Sequence, residues 1–181
     1  AINPITLSVS GFTIAPAGAG QGALNTSLMQ LQFATNSDFV NIERLRFTQV
    51  GSIASIVPTG NGDGDLSRVT VWLDNGDRVF SPTFDTLLGS SATFVGGLAE
   101  VKLVHNTIPY LQVTQTPRTL FIAGDVGLLD RAGQTTLGHQ AGMKLALAMA
   151  ASAALLLQAC AGSMPTRQPY DRSCGCWRAP G

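Results

Sequence analysis

The chain has 181 residues, 45% of them hydrophobic and only 12% charged. That balance excludes disorder over most of the length and fits one substantial domain with an appendage. The formal net charge of zero hides two unlike parts: seven Lys/Arg against ten Asp/Glu give −3 over residues 1–142, and four against one give +3 over residues 143–181. An acidic body with scattered arginines has no basic stripe, so nucleic acid is not an expected partner.

Residues 5–14 alternate apolar and polar side chains with period two, which predicts a strand with one buried face. A Pro/Gly connector follows over residues 15–22, and then Met29, Leu31 and Phe33 alternate with Gln30 and Gln32. Leu45 and Phe47 alternate with Arg44 and Arg46, which turns both arginines toward water. Val69, Val71 and Leu73 alternate with Thr70 and Trp72. Further strands are predicted over residues 86–94, 98–104, 109–114 and 119–123. Short strands separated by turns, with no amphipathic helix in the first 140 residues, predict an all-β fold, an antiparallel immunoglobulin-like β-sandwich. A barrel has the same period, so the closure stays open at this stage.

Residues 69–77 (VTVWLDNGD), Phe80 and residues 85–89 (DTLLG) carry a resemblance. They resemble the core of β-sandwich modules in large bacterial surface and secreted proteins. Residues 119–126 (TLFIAGDV) and 132–138 (AGQTTLG) are similar to the closing strand and tail of such modules, so the likeness spans about residues 5–139. The resemblance implies an extracellular or cell-surface location and a non-catalytic structural or adhesive role. Its expected partner is another protein or a surface polymer.

Two carboxylate clusters stand out. Asn61, Asp63 and Asp65 alternate with glycines, and Asp74, Asn75, Gly76 and Asp77 follow the strand that ends at Leu73. Calcium takes six to eight oxygens on flexible loops, so Asp63, Asp65, Asp74, Asp77 and Asp85 are the candidate ligands. The EF-hand pattern fails at Leu66 and Trp72, where it requires Gly and Glu. Arg78 also intrudes on the second loop. Plain turns explain the same residues, because Asn-Gly and Asp-Gly favour positive φ.

No enzyme is expected. His105 and His139 are far apart in sequence and no nucleophile motif accompanies either. Two alternatives remain: a hydrolase of unknown type working through paired carboxylates, and a carbohydrate-binding module using Trp72 and Phe80. Trp72 lies on the opposite strand face from Val71 and Leu73, where a loop or sheet edge is expected to cover it.

Residues 143–160 change character. Met143-Lys144, an Ala/Leu run over residues 145–157, and Leu157-Gln158-Ala159-Cys160 resemble a bacterial lipoprotein signal peptide, with Cys160 as the lipidated residue. Gln158 departs from the small residue usual at that position. Membrane contact is expected through this segment alone. Its origin reads as a joined reading frame, a fusion or a docked C-terminal helix, the last from the high helix propensity of Ala and Leu. The expected organisation is a sandwich over residues 1–140, a helix over 141–160 and a loose tail over 161–181. That tail holds Cys174 and Cys176, which with Cys160 are the only cysteines.

Overall fold

Period-two alternation gives each strand one apolar face, and such faces are stable only against one another. The computed structural model describes residues 5–51, 66–91, 94, 97–127, 141–150 and 153–155. They form β1 (Leu7–Thr13), β2 (Thr26–Thr35), β3 (Val40–Gly51), β4 (Leu66–Leu73), β5 (Thr86–Ser91), β6 (Leu98–Lys102), β7 (Leu111–Val113), β8 (Arg118–Val126), β9 (Ala141–Ala150) and β10 (Ala153–Leu155). One sheet runs β1-β2-β8-β4-β5 and the other β10-β9-β3-β6, with β7 also paired to β3. All of these pairings are antiparallel.

The two sheets share one core, as in a sandwich. Leu31 and Phe33 of β2, Val69 and Val71 of β4, and Leu120 and Ile122 of β8 meet Ile42, Leu45 and Phe47 of β3 and Val101 of β6. Each such side chain contributes roughly 1.5–3 kcal/mol by leaving water. Among the described residues, two backbone hydrogen bonds join the layers. Val104 N–H donates to the Leu88 carbonyl at 2.8 Å, and Thr35 N–H to the Thr114 carbonyl at 3.1 Å.

β3 is the spine of the second sheet. One edge takes β9, while the other is divided between β7, opposite Val40 to Ile42, and β6, opposite Arg44 to Thr48. A register shift against β9 falls between Ile42 and Arg44. It resets the alternation, so Ile42, Leu45 and Phe47 all point inward despite their unequal spacing. Arg44 and Arg46 face outward, as their alternation predicts. Both reach Glu100 on β6, at 3.1 and 2.6 Å.

Of the helix expected over residues 141–160, the described part is strand instead. Residues 141–150 are β9, hydrogen-bonded along β3, and residues 153–155 are β10. Residues 156–160 lie outside the described residues, as does the tail. The physical reason is visible in the alternation: Met143 and Leu145 are buried, while Lys144 between them is exposed. The edge of β3 offers residues 141–150 backbone partners from Ile42 to Gly51, interrupted by two register shifts. Helix propensity differs among ordinary residues by only tenths of a kcal/mol each, so pairing and burial override it.

Candidate functional site

β4 ends where Asp74 N–H donates to the Thr119 carbonyl of β8. The chain then turns away over residues 74–85 and returns as β5. Its carboxylates and Asn75 build the turn by accepting backbone N–H groups, the usual chemistry of Asx turns. Asp74 Oδ1 accepts from Gly76 at 3.1 Å and from Arg78 at 3.0 Å. Asn75 Oδ1 accepts from Asp77, and Asp77 Oδ1 from Val79. Asp85, buried at 7% exposure, ties the two ends together. Its Oδ1 accepts from Asn75 N–H at 3.1 Å and its Oδ2 from Ser81 N–H at 2.8 Å.

This network brings three of the five candidate calcium ligands together. One oxygen each from Asp74, Asp77 and Asp85 lies within 4.8 Å of the others. Three carboxylates supply at most six oxygens, the lower limit of a calcium shell. Most of those oxygens already serve the loop's own N–H groups, so the arrangement suits both an ion and a self-supporting turn. Asp63, Asp65, Cys160 and His139 lie outside the described residues. His105 forms an isolated bridge with Ile108 across a turn in which Asn106 and Thr107 both have positive φ.

The loop also folds back over the outer face of the first sheet. Phe80 stands edge-on to Trp72, with ring centroids 5.9 Å apart, and 5.6 Å from Phe121 of β8. Ile14, from the far side, completes this small second core. Trp72 is thus on the face its alternation assigns it, and the loop covers it. Its Nε1–H donates to Thr70 Oγ1 at 2.8 Å, so the buried indole is satisfied. While Phe80 and Ile14 cover it, the ring offers no open platform for a sugar.

Other parts of the loop face solvent. Val79 is 63% exposed and Phe84 71%. Arg78 holds φ at +61°, a conformation uncommon for residues other than glycine. Beside it, a cleft of about 360 Å³ opens between residues 74–78 and residues 116–119 at the start of β8. Arg78, Arg118, Gln32, Asn75 and Thr119 line it together with Asp74. Sequence reasoning missed this cleft, because its two arginines are separated by about 40 residues and share one cleft only through the pairing of β4 with β8. No protein-family model matches this chain, and no curated protein is significantly similar to it in sequence.

Proposed function

We propose that the chain is a non-catalytic interaction module of immunoglobulin-like sandwich type, acting outside the cell or at its surface in a structural or adhesive role. Its contact surface is the end of the first sheet that carries residues 74–85, and its partner is another protein or a surface polymer. The observation that supports this reading is the pairing of exposure with order. Val79 and Phe84 stand in solvent on a loop whose backbone is held by carboxylate hydrogen bonds. A loop already ordered loses little entropy on binding, and exposed aromatics on such loops are common anchors. Calcium, held by Asp74, Asp77 and Asp85, is the ion this loop would take.

The test is retention of beads coated with the full chain, under flow, on immobilised cell-wall polysaccharide and on immobilised copies of the chain. Wild-type beads are expected to hold on at least one surface, and Val79→Ser with Phe84→Ser to release them at unchanged melting temperature. Equal retention of variant and wild type, or no retention of wild type on either surface, removes the reading. The carbohydrate-binding alternative based on Trp72 is not favoured, because Phe80 covers that ring.

A further inference from the structure

We infer that the cleft beside residues 74–78 binds a carboxylate-bearing sugar unit of an acidic polysaccharide, held between Arg78 and Arg118. The inference rests on the interaction-module reading and names the surface polymer it would engage. Among the described residues, the arginines divide into two groups. Arg44 and Arg46 are paired with Glu100, and Arg68 with Asp125. Arg78 and Arg118 are exposed, make no ion pair with a described carboxylate, and line the same cleft. Two arginines lining one concavity suit a carboxylate, because each guanidinium can donate two parallel hydrogen bonds to it.

The turn fixes the backbone at Arg78. Residues bearing a side chain rarely adopt φ +61°. Asp74 Oδ1, accepting the Arg78 N–H at 3.0 Å, fixes it in place. The same turn sets Arg78 on the wall of the cleft. The rest of the lining narrows the ligand class. Gln32, Asn75 and Thr119 present amide and hydroxyl groups that pair with sugar hydroxyls. Asp74 can accept from hydroxyl donors of the sugar. A volume of about 360 Å³ lies at the low end for ligand pockets and suits a short stretch of sugar.

The experiment uses the full chain in calorimetric titrations with oligogalacturonate, the same oligomer with its carboxylates reduced to alcohols, and a sulfated oligosaccharide of equal length. Oligogalacturonate is expected to bind, with affinity falling as salt rises. The reduced oligomer should bind at least about tenfold more weakly, because charge-assisted hydrogen bonds are lost. Arg118→Gln and Arg78→Gly should each lower affinity by about tenfold or more. Arg78→Gly also relieves the backbone, so its melting temperature should hold or rise and a folding defect cannot account for the loss. No binding, equal binding of the reduced oligomer, a preference for the sulfated one, or indifference to both arginine variants overturns the inference. If these outcomes appear while Val79→Ser with Phe84→Ser still abolishes bead retention, the interaction module stands and this ligand assignment alone falls. If bead retention is also indifferent to those changes, both fall.

Discussion

Gly89 of β5 lies against the backbone carbonyl of Lys102 at the end of β6, so closely that a methyl group at position 89 would collide with that oxygen. The contact sits where the two sheets meet, next to the hydrogen bond from Val104 to Leu88. Gly89→Ala must therefore push the layers apart, and is expected to destabilise the fold by roughly 2–3 kcal/mol in urea titrations. Gly18→Ala, with no atom near its added methyl, should stay within about 0.5 kcal/mol of wild type. Equal stability of the two variants would show that the sheets do not meet at this point.

Phe80 closes the outer face of the first sheet over Trp72 and Phe121. Phe80→Ala removes both ring contacts, with an expected loss of about 2–3 kcal/mol. In a Trp177→Phe background, the remaining indole emission should shift to the red as Trp72 meets water. An unshifted spectrum would falsify the placement of Phe80 as its cover.

Glu100 accepts from Arg46 Nε at 2.6 Å and Arg44 Nη1 at 3.1 Å. The Arg46 hydrogen bond, helped by the Arg46 charge and by Arg44, outweighs the burial that acts the other way and holds this carboxyl below its ordinary 4.5. A carboxyl depressed in the folded state stabilises fully above its unfolded value, and that contribution fades as pH falls through the folded value. Because the three side chains are partly exposed, the contribution is at most about 1 kcal/mol. Glu100→Gln should accordingly be less stable than wild type at pH 7, with the gap closing in acid. A gap that is constant with pH would leave the ion pair without energetic weight.

The strand assignment of residues 141–150 has its own check. Leu145→Lys places an unpaired charge in the core beside Phe47 and should cost about 3 kcal/mol or more, whereas Lys144→Thr faces solvent and should be nearly neutral. Hydrogen exchange should show the amides of this stretch protected together with those of β3. Rapid exchange here, with β3 protected, would detach the segment from the sheet.

Calcium at Asp74, Asp77 and Asp85 is tested by melting with added calcium against chelator. Saturation at 100 times the dissociation constant adds about 2.7 kcal/mol. The expected result is a higher midpoint with calcium, abolished in Asp77→Asn. Identical midpoints remove the ion and leave a turn sustained by its own hydrogen bonds.

Much of the fold was legible because period two survives in segments such as Leu31 and Phe33, or Val69, Val71 and Leu73, whose inward faces lie in one core. The same parity put Trp72 on the opposite face. The Ala/Leu run misled, because its helix propensity is plain in the residues while the waiting edge of β3 is not. At the site, Asp74, Asp77 and Asp85 could be grouped from spacing. The cleft could not, since Arg118 and Arg78 come to one cleft only through the antiparallel pairing of β4 with β8.

β9 has a consequence for how the molecule is made. Its partner strand is translated about 100 residues earlier, so the β3 edge beside Leu45 and Phe47 stays unpaired while the intervening residues are still being synthesised. Non-local pairing of this kind slows folding and leaves nascent chains open to mispairing. Assembly of the second layer thus waits on β9, and a chaperone that shields β3 during that interval would act at the most vulnerable step.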